Sequence, residues 1–460
     1  MNIRLTLAII VSKLAIKACR LVKWGGTSLP GTIARKIYPG ILKLISKDFN
    51  LIMVTGTNGK TTTTLIIAKM LEENGIEYIT NKSGANLVSG ITATFIDAVN
   101  LMGKSTVKTA LIEIDEAAFN KFSEQRSPDI LVVTNFFRDQ LDRYGELYST
   151  LLKVKLGIVN SPGVKLVLNA DDSLCASLGK DTGRDSVYYG FEKEAYNFNS
   201  KNSGSDATFC IYCKTKYEYM QKVYGHLGHF LCPNCGYTRP ATEITCSKIT
   251  ALKSSNSIVK IRLSNTEHDI KINLPGLYNI YNALAALGVS KLFNLDTEKS
   301  VRALSIFDSG FGRMESIDVF GKTINVILVK NPTGFNQVLS FLFTEEKDMQ
   351  IAFAINDKIA DGTDVSWLWD VDFEELRTIE NKIGIIYASG IRADDMALRL
   401  KYAGVSTEKI QIEEDYNNLI EIGLSNTKEG QTFYILPTYT AMLAIRKILK
   451  KKYKLKEFWK

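Results

Sequence analysis

Short apolar runs alternate with longer amphipathic stretches from about Leu51 to Leu168. The run LIMVTG is typical of a buried strand that ends in a glycine loop, and TTTTLIIAKMLEENG has the apolar spacing of a helix closed by glycine. Three further runs in this region have the character of buried strands: ALIEI, DILVVTN and KLVLNADD. Buried strands separated by helices predict an α/β fold with a mostly parallel, doubly wound sheet.

The same alternation returns in the last third of the chain. After the helix-like segment YNALAALGVSKLF and a boundary near Gly312–Glu315, five strand-like runs occur between helices: INVILVK, MQIAFAIN, IGIIYASG, IQIEE and TFYILP. Residues 197–246 differ, being rich in Ser, Asn, Tyr, Cys and Gly without long apolar periodicity. We therefore predict a helical segment over 1–48, a central α/β domain over 49–314 with a small insertion at about 197–246, and a second, Rossmann-like α/β domain over 315–460.

The N-terminal stretch from Asn2 to Trp24 is both apolar and basic. Apolar residues at about helical spacing predict an amphipathic helix here: Leu5, Ile9, Leu14, Ala18 and Leu21. Basic residues interrupt the stretch well before the roughly 20 apolar residues that a membrane span needs. We expect the helix to pack on the following domain, with contact to a membrane surface as the alternative.

Composition places the chain among ordinary globular proteins. Its 460 residues are 45% hydrophobic and 23% charged, which excludes wholesale disorder and leaves room for more than one domain. The net charge of +8 is mild for this length, and no dense basic run precedes the C-terminal tail, so nucleic acid is not indicated as a partner. Four of the seven cysteines form two CxxC pairs, which indicates a metal site in a reducing compartment, the cytoplasm, rather than a disulfide framework.

The two cysteine pairs predict a structural zinc site. Cys210 and Cys213 form the first pair and Cys232 and Cys235 the second, with 18 residues between the pairs. Four thiolates complete a tetrahedral zinc shell and leave no open position for catalysis. Two histidines between the pairs, His226 and His229, are expected to be plain surface residues of the ribbon. The insertion lacks the basic and aromatic stripe of a nucleic-acid-binding ribbon.

A phosphate-binding loop follows the first strand of the central domain. Gly56-Thr57-Asn58-Gly59-Lys60-Thr61-Thr62 connects a strand to a helix, an arrangement whose backbone N–H groups and helix dipole bind anions. Lys60 is expected to neutralise the β- and γ-phosphates of a nucleotide, and the hydroxyl of Thr61 or Thr62 to ligate Mg²⁺.

This loop resembles that of the Mur ligase superfamily, which includes the peptidoglycan amino-acid ligases and folylpolyglutamate synthetase. Further segments carry the resemblance in chain order: Thr134-Asn135, the run DQLDRYG at 139–145, NADD at 169–172, GLYNIYNA at 276–283 and GRME at 312–315. The resemblance implies a Mur-type ATP-binding central domain. It assigns ATP contacts to Thr57, Asn58, Gly59, Lys60, Thr61, Thr62, Asn282 and Arg313, and a Mg²⁺-binding role to Glu113 beside Thr61.

Three departures from the family pattern are visible. Gln140 and Tyr278 stand where the family usually has histidine, and Ile114-Asp115-Glu116 replaces the usual segment after the metal-binding glutamate. The lysine that several amino-acid-adding ligases carry in carbamylated form is not identifiable.

Other features resemble the branch of the superfamily that amidates lipid II. Only about 50 residues precede the phosphate loop, which argues against a domain for UDP-linked precursors, and NDKIADGTDVSW at 356–367 matches the branch. This resemblance implies ATP-dependent phosphorylation of the α-carboxylate of D-isoglutamate in the lipid II stem, with ammonia from a GatD-type glutaminase partner giving D-isoglutamine. It implies that Asp364, rather than Asp357 or Asp361 of the same loop, is an essential acid, alongside catalytic Lys60, Thr61 and Glu113.

A separate glutaminase subunit agrees with the residues present. The chain has three histidines and no cysteine in the setting of a nucleophile, so no Cys–His glutaminase site is evident. Two alternatives stay open. An amino-acid-adding ligase like folylpolyglutamate synthetase would need an amino-acid pocket with an arginine that binds its carboxylate. A zinc-ribbon NTPase that acts in binding or assembly would turn over ATP without any acyl acceptor.

Overall fold

The computed structural model describes residues 3–21, 28–81, 85–139, 147–196, 206–253, 255–307 and 313–453, with only the backbone of Arg313 and Met314. Gln140 and the rest of the segment through Gly145 lie outside the described residues, as does Gly312. The side chain of Arg313, assigned above to ATP, is also outside them. Helices within the described part are α1 (Ile3–Leu21), α2 (Leu29–Ile37), α3 (Ile41–Ser46), α4 (Lys60–Glu73), α5 (Val88–Ala98), α6 (Glu116–Ser123), α7 (Leu147–Val159), α8 (Ser173–Thr182), α9 (Leu277–Leu292), α10 (Thr297–Ile306), α11 (Pro332–Leu342), α12 (Ala393–Tyr402), α13 (Tyr416–Asn426) and α14 (Tyr439–Tyr453).

The central domain is built on one mixed sheet. Its strands in chain order are β1 (Asn50–Thr55), β2 (Tyr78–Thr80), β3 (Thr109–Glu113), β4 (Ile130–Val133), β5 (Lys165–Asn169), β6 (Ser186–Phe191), β9 (Ile244–Leu252), β10 (Ser257–Leu263) and β11 (Thr266–Ile272). Within the described residues the spatial order is β11-β10-β9-β6-β5-β4-β1-β3-β2. All pairings from β2 to β9 are parallel, and β9, β10 and β11 pair antiparallel.

Helices cover both faces of this sheet, as its buried strands require. One apolar cluster joins β1, β4 and β5 to α4 and α9, and a second joins the opposite faces of the same strands to α1, α5, α6 and α7. The predicted doubly wound, mostly parallel sheet is therefore confirmed. The antiparallel extension β9–β11 is not anticipated by the sequence pattern.

A small two-stranded hairpin, β7 (Glu218–Tyr224) with β8 (Leu227–Leu231), interrupts the chain between β6 and β9. It forms the body of the predicted insertion, and both cysteine pairs flank it. A separate apolar cluster supports the hairpin, with Tyr217, Phe230 and Tyr237 around the buried cysteines.

The C-terminal part contains a second α/β sheet. Its strands are β12 (Arg313–Val319), β13 (Lys322–Ile327), β14 (Met349–Ala354), β15 (Ile383–Ser389), β16 (Ile410–Ile412) and β17 (Thr432–Pro437). The order among described residues is β12-β13-β17-β14-β15-β16, parallel except for the β12–β13 hairpin. Helices α11 and α12 contribute to the apolar cluster on one face of this sheet, and α13 and α14 to the cluster on the other. All five predicted C-terminal strands are present.

Helix α1 forms as predicted, but part of its predicted buried face is wrong. The residues that it buries are Ala8, Ile9, Ser12 and Ile16. Leu14 is 61% exposed and Leu21 is 85% exposed, although both were expected to belong to the packed face. The helix is apolar on two sides, so spacing alone could not select the side that contacts the domain.

Candidate functional site

The phosphate-binding loop begins where β1 ends, and it depends on two glycines. Gly56 and Gly59 both have positive φ, +117° and +85°. A Cβ on Gly56 would lie 2.3 Å from the hydroxyl oxygen of Thr134, and one on Gly59 would lie 2.1 Å from the side-chain oxygen of Asn282. Only glycine therefore allows the loop to pass this closely between the end of β4 and helix α9.

Residues beyond the loop hold its backbone in place. The N–H of Asn58 donates to the side-chain oxygen of Asn135 at 2.9 Å, and the Thr134 hydroxyl donates to the Asn58 carbonyl at 2.7 Å. From the other side, Asn282 on α9 accepts a hydrogen bond from the hydroxyl of Thr63 at 3.3 Å. Thr134, Asn135 and Asn282, singled out from the sequence, therefore lie against the phosphate loop, and Asn279 accepts a hydrogen bond from the Asn282 side chain at 3.1 Å.

Lys60 opens α4 and lies over its own loop. Its Nζ donates to the carbonyl of Gly56 at 2.6 Å and to Glu116 Oε1 at 3.2 Å. Burial disfavours the charged amine, but the nearby carboxylates, led by Glu116, raise the pKa of Lys60 above its ordinary value. Burial also raises the pKa of Glu116, an effect that Lys60 opposes. The lysine is thus a buried cation held by one carboxylate at the place where the loop would receive phosphate.

Glu113 and Thr61 form an oxygen pair beside this lysine. The Thr61 hydroxyl donates to Glu113 Oε2 at 2.8 Å. Asn81 fixes the end of β3, because its side chain accepts from the Glu113 N–H at 2.9 Å and donates to the Glu113 carbonyl at 2.7 Å. A carboxylate and a hydroxyl in contact at the mouth of a phosphate loop are ligands that suit Mg²⁺. The donor set therefore fits the ion that the sequence predicts.

The opposite wall of the site comes from the C-terminal domain. Lys330 Nζ donates to Asp139 Oδ2 at 2.6 Å and to the Thr57 carbonyl at 3.0 Å. Next to it, Asn331 caps α11 and donates from its side chain to Asn58 Oδ1 at 3.0 Å. These contacts close a cleft lined by Asn58, Gly59, Thr62, Asn282, Tyr278, Lys330, Thr333 and Gln337. The cleft has the amide, hydroxyl and cationic groups that a nucleotide needs.

Two residues of this site escaped the reasoning from sequence. From the sequence, Glu116 is only a departure from the family pattern, and Lys330 is the last residue of the strand-like run INVILVK, with no role assigned. Lys330 lies three residues after the end of strand β13 and directly precedes an Asn-Pro helix start, a placement typical of a side chain at the carboxyl edge of a sheet. That signal was present in the sequence and could have been used.

The acidic loop after β14 is separate from this cleft. Asp364 is exposed, and its Oδ1 accepts the Ser366 N–H at 2.8 Å. Hydrogen bonds from Ser366 lower the pKa of Asp364 below its ordinary value, so it is ionised at neutral pH. Among the described residues, no hydrogen bond or ion pair joins Asp364 to the phosphate loop.

The other two acids of the loop have partners of their own. Asp361 is buried and accepts both the N–H and the hydroxyl of Thr440, at 2.7 and 2.5 Å. Asp357 lies 3.6 Å from Arg392. Asp361 therefore ties the loop to the start of α14, which leaves Asp364 as the acid that faces solvent.

The four predicted zinc ligands come together. The sulfurs of Cys210, Cys213, Cys232 and Cys235 all lie within 4.8 Å of one another, and Cys210–Cys235 and Cys213–Cys232 are 3.6 and 3.3 Å apart. A tetrahedral Zn²⁺ with bonds of about 2.3 Å would place its sulfurs about 3.8 Å apart. These separations far exceed a disulfide bond and fit a shared metal ion.

Each cysteine pair sits on a turn of the same construction. In the first, Lys214 donates its N–H to the Cys210 carbonyl at 3.0 Å and has a positive φ of 63°. In the second, Gly236 donates to Cys232 at 3.0 Å with a φ of 72°. Two matching turns present the two pairs to a common point, as in a zinc ribbon.

The two histidines of the ribbon are not surface residues, which corrects the expectation from sequence. His226 is fully buried, with Nε2 3.4 Å from Asp172 Oδ1, and His229 donates from Nε2 to the Phe191 carbonyl at 2.8 Å. Burial opposes ionisation of Asp172, but His226 and two backbone N–H groups lower its pKa. The hairpin therefore packs into the central domain, where His229 donates to a backbone carbonyl and His226 lies against Asp172.

A second buried pair strengthens this contact. Arg239, after the second cysteine pair, lies 2.5 Å from Asp171 Oδ1, and Tyr281 of α9 donates to the other oxygen of Asp171 at 2.7 Å. Asp171 and Asp172 of the NADD segment, at the end of β5, thus contact the ribbon. The tip of the hairpin reaches the cleft, because Tyr224 lines it and a Cβ on Gly225 would lie 3.0 Å from Phe137.

Comparison with known proteins gives consistent relatives for both domains. Residues 54–235 match the Mur ligase middle domain family, and residues 328–442 match the MurT ligase C-terminal family. The chain is 32% identical to the lipid II isoglutaminyl synthase (glutamine-hydrolyzing) subunit MurT of Streptococcus pneumoniae, over 98% of both chains. It is 35% identical to the protein of that name from Staphylococcus aureus strain COL, over 95% of both chains.

Solved structures give the same fold. A pseudomurein peptide ligase type C from Methanothermus fervidus superposes with a TM-score of 0.65 at 23% identity, covering 90% of this chain and 80% of that one. This similarity shows that the two proteins share a fold.

Proposed function

Because this chain belongs to the MurT family of Mur ligases, we propose that it is the ATP-dependent ligase subunit of a lipid II isoglutaminyl synthase. In the proposed reaction the γ-phosphoryl group of ATP moves to an oxygen of the α-carboxylate of D-isoglutamate in the lipid II stem. Ammonia then attacks the carbonyl carbon, inorganic phosphate leaves, and a proton is lost to give D-isoglutamine. The product is an amide formed at the expense of ATP.

The observation that carries this proposal is the group of Lys60, Thr61 and Glu113 at the mouth of the cleft. Phosphoryl transfer depends mainly on positioning and on neutralising charge. Lys60 is protonated and already buried, so incoming phosphate oxygens can replace Glu116 as its partner. Mg²⁺, when bound by Thr61 and Glu113, would supply further positive charge to the phosphates. Arg313 and Asn282 are proposed to contact the nucleotide on its base side.

Lys330 supplies a second cation from the opposite domain. It donates to the carbonyl of Thr57 in the phosphate loop, which Lys60 also contacts. The cleft therefore has two lysines at the same phosphate-binding site. Asp139 keeps Lys330 there at 2.6 Å. We propose that Lys330 orients ATP and couples its binding to the position of the C-terminal domain.

Asp364 is proposed to act on the amine side of the reaction. Its lowered pKa makes it a weak base but a stable anion, so it suits attraction of ammonium and orientation of ammonia rather than strong proton abstraction. Its exposure leaves it accessible to substrate. The zinc proposed at the four cysteines is structural, since the four thiolates fill its shell.

A GatD-type glutaminase is proposed as the source of ammonia, in a heterodimer with this chain. Among the cysteines outside the quartet, Cys175 and Cys246 are buried, and burial raises the pKa of both thiols. Neither is therefore an activated nucleophile. Since the substrate is lipid-linked, we place the reaction at the inner face of the cytoplasmic membrane.

Reconstitution tests this function. The purified chain, lipid II, ATP and Mg²⁺ are combined with glutamine or with ammonium chloride, with and without the glutaminase subunit, and the stem peptide is analysed by mass spectrometry. We expect glutamine to support amidation only in the two-subunit mixture and high ammonium to support it with the chain alone. Glutamine-driven amidation by the chain alone would refute the division of labour. ATP turnover that is independent of lipid II would favour an NTPase, and addition of a whole amino acid would favour a chain-extending ligase.

A further inference from the structure

Helix α1 has a second apolar side that no described residue covers. Its buried side packs on α2 and α5, through Ala8, Ile9 and Ile16. The opposite side consists of Ile3 (80% exposed), Leu7 (51%), Ile10 (37%), Leu14 (61%) and Leu21 (85%), which we call the α1 face. These positions follow one another at helical spacing, so they form a single stripe that points away from the domain.

The helix is held firmly in this orientation. Arg20 forms an ion pair with Asp97 of α5 at 2.6 Å, and Lys13 Nζ donates to the Asp97 carbonyl at 3.3 Å. Leu5 and Ile9 pack beside the turn at Gly103, and the same turn exposes two more apolar side chains, Leu101 (50%) and Met102 (63%). These contacts set the orientation of α1, so that the apolar stripe faces away from the domain.

The charge of this part of the chain is unlike that of the rest. Residues 1–47 contain nine Lys and Arg residues and no Asp or Glu, so this segment carries +9 against +8 for the whole chain. Arg4 and Lys17 lie on the exposed side of α1 itself. An apolar stripe with basic residues along its edges is the arrangement by which helices lie in the interface of an anionic bilayer.

We propose that the α1 face docks this protein on the surface of an anionic lipid bilayer. The leucines and isoleucines would enter the boundary between headgroups and acyl chains while the surrounding lysines and arginines contact lipid phosphates. A second copy of this chain is a poorer occupant, because it would bring another all-basic segment into the contact. No described helix is both long and apolar enough to cross a membrane, so the contact is peripheral.

This inference rests on the proposed function in one respect: a lipid-linked substrate gives the docking its purpose. Vesicle binding can nevertheless be measured without substrate or nucleotide, so failure of the docking proposal can be distinguished from failure of the proposed amidation function. The full chain is sedimented with vesicles of phosphatidylcholine alone or of phosphatidylcholine and phosphatidylglycerol in equal parts. The test variant is Leu7→Gln/Leu14→Gln, and Arg4→Gln/Lys17→Gln tests the charge.

A matched control exists on α7, which exposes Leu152 (57%) and Leu156 (53%) outside the basic segment. Leu152→Gln/Leu156→Gln makes the same chemical change on another helix. We expect binding to the anionic vesicles only, weakened by salt, with the α7 variant unchanged. The Leu7/Leu14 variant should lose roughly tenfold or more in partition coefficient, because two half-exposed leucines no longer enter the apolar layer. The charge variant should lose several-fold.

The same measurements can overturn the proposal. Absent binding to anionic vesicles, equal binding to both kinds of vesicle, or undiminished binding by the Leu7/Leu14 variant would each do so. Light scattering provides a further test: a dimer that becomes monomeric only in the Leu7/Leu14 variant would assign the α1 face to a second copy instead. Unchanged ATP-dependent amidation of a water-soluble stem substrate would show that the variants are folded.

Discussion

The zinc ribbon and the phosphate cleft are organised in opposite ways. The four cysteines lie between residues 210 and 235, and each knuckle is closed by hydrogen bonds within its own turn. In the cleft, Lys60 meets a carboxylate 56 residues further along, and Thr57 meets Lys330 at a separation of 273 residues. A site with local partners can be inferred from spacing, whereas a site with distant partners requires the fold.

The zinc ribbon and the phosphate cleft are also in contact, so a change in one region can affect the other. Tyr224 and Gly225, at the tip of the ribbon hairpin, lie beside the cleft, and the buried pairs Asp171–Arg239 and Asp172–His226 hold the ribbon on the central domain. We therefore expect substitutions in the cleft to spare the ribbon, and loss of the ribbon to affect the cleft mildly. Lys60→Ala, Lys330→Ala and Cys232→Ser test that asymmetry, and Asp364→Asn tests the acidic loop outside the cleft.

Lys60→Ala should have the largest effect. Loss of the lysine removes a buried charge from the transferring phosphoryl group, and we expect amidation to fall roughly a thousandfold or more. Zinc content and the thermal unfolding midpoint should change little. Lys69→Ala on the same helix, which breaks only partly exposed pairs with Glu72 and Glu73, is the control and should change amidation little. Near-normal amidation by Lys60→Ala would remove the phosphate loop from the mechanism.

Asp364→Asn should come next, with a loss of about a hundredfold in amidation. The change preserves size and removes the negative charge that is proposed to hold ammonia. Asp357→Asn in the same loop should be milder, because Asp357 lies near Arg392 rather than open to substrate. Steady-state rates over a range of ammonium concentrations separate the two variants. A fully active Asp364→Asn enzyme would move the role to another residue of the loop.

Lys330→Ala should raise the KM for ATP roughly tenfold to a hundredfold, since hydrogen bonds to charged groups contribute about 1.5–3 kcal/mol. The rate at saturating ATP should fall less than the KM rises. Lys260→Ala, which breaks an exposed pair with Asp269 far from the cleft, is the matched control. An unchanged KM would show that the contact between Lys330 and the phosphate loop is not used in nucleotide binding.

Cys232→Ser should have the smallest effect on the amidation rate and the largest effect on zinc content. Zinc should fall from about one ion per chain to a small fraction, because a four-thiolate site loses a ligand. We expect the unfolding midpoint to drop by several degrees, at about 2–4 °C for each kcal/mol lost, and amidation to fall only a few-fold. Cys19→Ser controls for cysteine replacement as such. Full zinc in Cys232→Ser would mean that the metal site uses other ligands.

Features that depend on residues close together in the sequence could be predicted, and features that depend on contacts between distant residues could not. The parallel strands, the phosphate loop and the cysteine quartet follow from apolar runs, glycine placement and spacing. Burial of His226 and His229 was missed because the hairpin's contact with Asp171 and Asp172 depends on the assembled sheet. The packed side of α1 was partly misjudged because that helix is apolar on two sides, and the structure alone shows which one meets α2 and α5.

Transfer of oxygen isotope from substrate to phosphate tests the central claim most directly. Lipid II labelled with ¹⁸O in the α-carboxylate of D-isoglutamate is amidated by the two-subunit enzyme, and the released phosphate is examined by mass spectrometry. An acyl phosphate formed at the cleft requires one ¹⁸O to appear in inorganic phosphate for each amide made. Label in AMP, or amidation with unlabelled phosphate, would contradict the account.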